Sequence, residues 1–271
     1  MDLTPFIKRE NEQPLENIVA NGGLCSIFRT IACIGDSLSS GEHESRKDGQ
    51  PGYHDYYEYS WGQFMARDAG LTVYNFSKGG LATHTFLAEA PARGWFDEEK
   101  KARAYIIALG VNDFAYIERD HVMEFGSVKD IDPGNEANNK PTFAGYYGAI
   151  ITKYRKLQPK AKFFFVTCPH DEPDTWRPAF QTWCDKHQAL LYDIAALFEG
   201  CYVIDLRRYG PVYDQEFRRN FYLGGHLNAA GYRLTALMME SYIDYIIRHN
   251  PEDFKQIGFV GTPYHHENEK W

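Results

Sequence analysis

The sequence predicts a doubly wound α/β protein, a three-layer α/β/α sandwich around a five-stranded parallel sheet. Three observations predict it. Short runs of β-branched, aromatic and aliphatic residues recur five times along the chain. Longer segments of helical period lie between them, the alternation expected of βαβ units whose sheet is covered on both faces. Neither an internal repeat nor a low-complexity linker divides the 271 residues.

The predicted strands are Thr30–Ile34, Leu71–Phe76, Ala104–Leu109, Lys162–Thr167 and Tyr202–Leu206. Between the first two, Ser60 is placed to cap a helix over Trp61–Ala69, which Gly70 ends. Thr142 likewise precedes a helix over Phe143–Leu157, which stops before Pro159. Phe180, Trp183, His187, Leu190, Ile194 and Leu197 step by three and four, so a helix over Pro178–Phe198 buries one face. Ala229, Tyr232, Ala236, Met239, Ile243 and Ile246 do the same in a last helix.

Composition narrows the function classes. The formal charge of −8 argues against nucleic acid, whose binding needs concentrated Lys and Arg, and disfavours anionic membranes. No apolar run approaches the length of a membrane span. The five cysteines are odd in number and lack CxxC spacing, which predicts reduced thiols. The first residues hold no apolar core of signal-peptide length, so a cytoplasmic protein without nucleic-acid or membrane partners is expected.

In a doubly wound sheet, ligands bind outside the carboxyl ends of the strands. The first predicted strand runs into "GDSLSSGE", which places Ser37 there. After the second comes "NFSKGGLAT" with Gly79 and Gly80, and after the third "LGVNDF" with Gly110, Asn112 and Asp113. After the fifth, just before the last helix, comes "YLGGHLNAAGY" with His226. Acyl transfer needs that set. Serine attacks a carbonyl, histidine takes its proton, and fixed N–H donors hold the oxyanion. Glycine serves as a donor because the substrate oxygen can approach its bare backbone. Asparagine adds a donor without charge.

On these blocks the chain resembles the SGNH/GDSL hydrolases, a family of esterases, lipases and carbohydrate deacetylases. Gly35-Asp36-Ser37-Leu38 matches the block that carries the nucleophile, and Gly110-Val111-Asn112-Asp113 matches the "GxND" block. The resemblance implies a flavodoxin-like sandwich. It also implies Ser37 and His226 as catalytic residues, and an oxyanion hole of Ser37, Gly80 and Asn112, with Gly80 favoured over Gly79 by its spacing from Asn75. It spans roughly Thr30 to Ile247. The chain is therefore expected to be one domain over residues 1–271, with a core at about 29–249, an N-terminal extension at 1–28 and a tail at 250–271. One block departs from the pattern. The family's acid lies three residues before the histidine, and Leu223 stands there. A main-chain carbonyl near Leu223 or Gly224 is expected to hold His226 Nδ1 instead, giving a Ser37–His226 dyad. Asp214 or Glu216 is the second choice.

Taken singly, each block has a bland reading: Ser37 as a helix cap, Gly79 and Gly80 as a tight turn, Asn112 as a turn residue, His226 as a helix-entry residue. Four in order on a matching strand pattern favour chemistry. Asp113 and Asp205 are expected to orient loops. "PHDEPD", from Pro169, clusters His with carboxylates but has no second histidine, so a solvated loop is expected rather than a metal site. "YHHENEK" is expected to be an exposed tail. The stretch Glu42 to Tyr59 has no aliphatic apolar residue but carries Tyr53, Tyr56, Tyr57 and Tyr59. As a loop directly after the nucleophile it is placed to wall the site, with the polar excursion from Phe114 to Pro141 as the other wall.

The function so indicated is hydrolysis of a short-chain acyl ester, an acetyl group on a sugar being the favoured case, with no metal or organic cofactor. Two alternatives stand: a non-catalytic ligand-binding protein on the same scaffold, marked by the missing acid, and acyl transfer to an acceptor other than water.

Overall fold

The computed structural model describes residue 7 and residues 9–172, 179–264 and 266. Its centre is a parallel sheet of β1 (Thr30–Gly35), β4 (Thr72–Ser77), β5 (Ala104–Ala108), β6 (Lys162–Val166) and β8 (Cys201–Ile204), in the order β4-β1-β5-β6-β8. The order reverses direction between β1 and β5, the crevice at which such sheets take ligands. Each run forms a strand because both of its faces are buried. Along β1, Ile31 and Cys33 enter one core while Ala32 and Ile34 enter the other. Phe164 and its neighbours Phe163 and Phe165 divide in the same way on β6.

The helices form the outer layers. On one face lie α3 (Thr83–Glu89), α5 (Phe143–Leu157) and α6 (Phe180–Leu197), contributing Phe86, Tyr147 and Trp183. On the other lie α2 (Trp61–Ala69) and α9 (Ala229–His249), contributing Trp61, Tyr232 and Ile243. The predicted caps are present: Ser60 accepts from Gln63 N–H, Thr142 from Gly145 N–H, and Gly70 closes α2 at φ 63°. Pro178, the predicted start of α6, lies outside the described residues, as do Pro173, Asp174 and most of "YHHENEK".

Smaller elements complete the chain: α1 (Ser37–Ser40), β2 (Glu42–Lys47), β3 (Gln50–Asp55), α4 (Val111–Glu118), β7 (His170–Asp171), α7 (Leu206–Tyr209), β9 (Val212–Tyr213), α8 (Gln215–Phe221), β10 (Tyr222–Leu223), β11 (His226–Leu227) and α10 (Pro251–Phe254). Two of these correct the sequence reading. The stretch after Ser37 is not an irregular loop but an antiparallel hairpin, β2–β3, in which Lys47 faces Gln50. The two residues between them, Asp48 and Gly49, sit at φ 52° and 80°, the paired left-handed conformation a tight hairpin turn requires. The second excursion starts inside α4, and Phe114 packs edge-on against Phe180 at 5.2 Å.

The N-terminal extension lies along α9. Val19 N–H donates to Ser241 Oγ, Leu24 N–H to Asp244 Oδ1, and Arg248 grips both carboxylate oxygens of Glu12 at 2.7 and 2.8 Å.

Candidate active site

Gly35 is the last residue of β1 and pairs with Ser77 of β4 on one side and Ala108 of β5 on the other. Three loops therefore leave the sheet side by side, carrying Ser37, Gly79–Gly80 and Asn112. A side chain on Gly35 would collide with Ser39, so the strand must end in glycine for α1 to start there. The cap of α1 is Asp36, whose Oδ1 accepts from Leu38 N–H at 3.0 Å. Ser37 is thereby relieved of the capping role and stands at the first helical position. Among the described residues its N–H and Oγ have no hydrogen-bond partner.

Gly80 has φ 78°, a left-handed backbone natural to glycine, with open space where a Cβ would lie. Its N–H too has no partner among the described residues. Asn112 sits in the first turn of α4 and donates one amide hydrogen to Leu81 O at 3.0 Å, which ties it to the glycine loop and leaves a second hydrogen to give. Asp113 takes the orienting role expected of it, accepting from Thr83 N–H at 2.9 Å and Thr83 Oγ at 2.6 Å. Burial pushes its carboxyl up to about 6, against those two bonds. Burial also pushes Asp36 up to about 7, with repulsion from Asp113 and Glu42 adding to it. Asp205 is likewise structural: fully buried, it accepts from Gln188, Tyr192, Thr167 and the Arg208 N–H.

His226 opens β11, which touches α1. No hydrogen bond joins it to Ser37 Oγ among the described residues, a spacing common in unliganded sites. Its surroundings correct the sequence expectation. Nδ1 is buried and bonded to nothing, main chain included. Asp214 caps α8 by accepting from Phe217 N–H at 2.8 Å. The carboxylate beside the imidazole is Glu42 on β2, with Oε1 3.3 Å from Nε2. Burial lowers the imidazole's pKa, with His43 adding to the effect and Glu44 and Asp55 opposing it. Burial and the nearby Asp55 raise Glu42. Both partners are thus drawn toward their neutral forms at rest, and the contact is close without being an aligned hydrogen bond.

The hairpin reaches His226 in other ways as well. The Tyr53 ring lies 4.9 Å from the imidazole, centre to centre. Glu44 Oε2 accepts from Gly225 N–H at 2.8 Å. Tyr56 and Tyr59 instead flank His43, and the Tyr57 hydroxyl reaches Asp55. All four tyrosines are exposed. Beneath the hairpin, the buried Tyr232 hydroxyl donates to Glu42 O at 2.5 Å and to Ser37 O at 3.3 Å. Sequence reasoning did not single out Glu42, which meets His226 only through the fold.

Leu38, Val111 and Leu227, the chain neighbours of Ser37, Asn112 and His226, help to line an apolar cavity of about 70 Å³. No cluster of His, Cys, Asp and Glu among the described residues could hold a metal ion. All five cysteines are unpaired, and no described helix is long and apolar enough to cross a membrane.

Comparison with solved structures places this architecture among known folds. An acetyl xylan esterase, AlAXEase, superposes with a TM-score of 0.52 at 18% identity, covering 79% of this chain and 99% of that one. A family two carbohydrate esterase from Clostridium thermocellum, solved with cellohexaose, gives 0.56 at 15% identity over 88% of this chain and 67% of that one. A protein from Lactobacillus plantarum gives 0.58 at 17% identity over 80% and 97%. These likenesses establish the fold. A search among curated proteins returned no significant relative. The sequence profile of the GDSL-like Lipase/Acylhydrolase family matches residues 33–234, from within β1 to the early turns of α9. The chain therefore belongs to the GDSL-like Lipase/Acylhydrolase family of carboxylic ester hydrolases.

Proposed function

We propose that the protein is a serine esterase that removes a short acyl group, acetyl in the favoured case, from a carbohydrate ester. Ser37 Oγ attacks the acyl carbon as its proton passes to His226. The tetrahedral oxyanion accepts from Ser37 N–H, Gly80 N–H and the free Asn112 amide hydrogen. As the carbon–oxygen bond breaks, the imidazolium returns the proton to the departing sugar hydroxyl. Water, deprotonated by His226, then releases the acyl group from Ser37.

One observation carries the reading. The unpartnered N–H groups of Ser37 and Gly80 and the amide of Asn112 leave three adjacent strands at one edge of the sheet. The small cavity behind them suits an acyl group of few carbons, and the exposed tyrosines suit a hydroxylated leaving group. The acetyl xylan esterase and the cellohexaose-bound carbohydrate esterase among the structural neighbours point the same way. The test is hydrolysis of p-nitrophenyl acetate, p-nitrophenyl octanoate and acetylated xylan by wild type and Ser37→Ala. Acetyl esters should be cleaved faster than octanoate, and Ser37→Ala should abolish turnover while keeping the wild-type circular dichroism. An active Ser37→Ala protein would remove the serine from its role. A wild type inert to every ester and to a fluorophosphonate probe would favour a non-catalytic binding protein.

A further inference from the structure

We propose that Glu42 supplies the carboxylate that His226 lacks at Leu223. It is a positioning residue that keeps the imidazole proton on Nε2 and stabilises the imidazolium formed when Ser37 gives up its proton. This rests on the reading of Ser37 and His226 as the reacting pair.

Three observations support it. Glu42 Oε1 stands 3.3 Å from Nε2, and both side chains are largely shielded from water, at 14% and 17% exposure. Ionised, a carboxylate there favours the neutral tautomer with hydrogen on Nε2. Nδ1, buried and without a partner, is then the nitrogen left to carry the lone pair. A main-chain bond at Nδ1 would have consumed that nitrogen.

The approach is also built rather than incidental. Tyr232 clamps the Glu42 carbonyl and the Ser37 carbonyl with one hydroxyl, which sets the carboxylate and the nucleophile in a common frame. Gly79 lacks the side chain that would collide with Glu42 Oε2. From the far strand of the hairpin the Tyr53 ring lies against the imidazole, and Glu44 holds the Gly225 amide of the turn that presents it. The alternatives are occupied or unfit. Asp214 spends its carboxylate on a helix cap, and Leu223 is exposed and apolar.

Burial raises the Glu42 carboxyl and lowers the imidazole, so the charge on either partner costs more while the other is neutral. Once His226 is protonated, the carboxylate faces a cation at short range in a shielded site. The attraction is therefore greatest as the transition state forms, which is where it accelerates the reaction. The charged or titratable groups around the imidazole are Glu42, Glu44 and His43 on β2, and Tyr53 and Asp55 on β3. Glu42 is the one within contact distance of a ring nitrogen.

The experiment compares wild type, Glu42→Gln and Glu42→Asp on p-nitrophenyl acetate across pH, alongside fluorophosphonate labelling of Ser37. Glu42→Gln should lower kcat by roughly 10²- to 10⁴-fold with little change in KM, as loss of a triad carboxylate does. Its acid limb should move to lower pH, because an imidazole without the neighbouring negative charge loses its proton more readily. Glu42→Asp should recover part of the rate. A Gln variant within a factor of about two of wild type, with an unmoved acid limb, would overturn the proposal. A wild type that neither hydrolyses the ester nor labels at Ser37 would overturn the reading beneath it, which is a different outcome. Should the variants not fold, ¹⁵N chemical shifts of His226 in the wild type decide. Hydrogen on Nε2 in the neutral form supports the assignment, and hydrogen on Nδ1 overturns it.

Discussion

Two adjacent glycines show how much a single residue can mean. Gly79 and Gly80 are interchangeable in the sequence, and spacing alone favoured Gly80 as the donor. Their surroundings separate them. Gly80 has a left-handed backbone and empty space beside it, whereas Gly79 is pressed against the Glu42 carboxylate. Gly80→Ala should therefore cost stability, about 1–2 kcal/mol of backbone strain, read as a lower melting temperature. Gly79→Ala should leave the melting temperature nearly unchanged and displace Glu42, lowering kcat on p-nitrophenyl acetate by roughly tenfold or more. If Gly79→Ala kept full activity, the carboxylate's position would be immaterial. Ser37 and Asn112 were legible as candidates because each follows a strand end, and His226 because it stands just before the last helix, each in a block of fixed spacing. Glu42 was not, since its importance appears only when residues 42 and 226 meet in space.

At the level of elements, periodicity and caps were enough for strands buried on both faces and for helices with one apolar stripe. α2 and α5 run over the predicted residues because Ser60 and Thr142 cap them as their sequences require. The hairpin was missed because it has no buried face to impose an apolar alternation, although Asp48-Gly49 between polar arms was a turn signal. The N-terminal extension was also opaque, since its partners lie more than 200 residues away. There the Arg248 guanidinium holds the Glu12 carboxyl down to about 2. That contact stabilises fully above the ordinary glutamate range and is lost as pH falls toward 2. Arg248→Ala would strand the nearly buried carboxylates of Glu12 and Asp244. It should cost roughly 3–5 kcal/mol, the penalty for unpairing a buried charge, measurable as a lower urea midpoint. A loss below about 1 kcal/mol would class the strap with surface ion pairs.

Over the whole molecule, buried acids set the pH dependence of stability. Asp36 keeps its proton in the fold to about 7, and Glu240, fully buried beside Asp68, to about 8. An unfolded chain has lost both by then, so the fold binds more protons and stability falls as pH rises through this span. His187, driven by burial to about 4, acts in the opposite sense, but only below its ordinary value of 6.5. Between pH 6.5 and 8.5 the carboxyls act in the same sense as the buried thiols, whose pKa values burial also raises, and the melting temperature should drop by on the order of a few degrees. Glu240→Gln should flatten that drop, and an unchanged slope would show that the burial of Glu240 does not govern it. The long helix α9 links these scales. Near its start Tyr232 secures the carbonyls of Ser37 and Glu42, and near its end Arg248 secures the N-terminal strap. Synthesis proceeds from the N-terminus, so the ribosome exposes Ser37, the proposed nucleophile, long before His226 and the helix whose Tyr232 braces it. A nascent chain can form most of its sheet and still lack both the base and the brace. On the proposed mechanism, hydrolytic competence thus waits until His226 and Tyr232 have been made, and a chain that carries only Ser37 is chemically quiet.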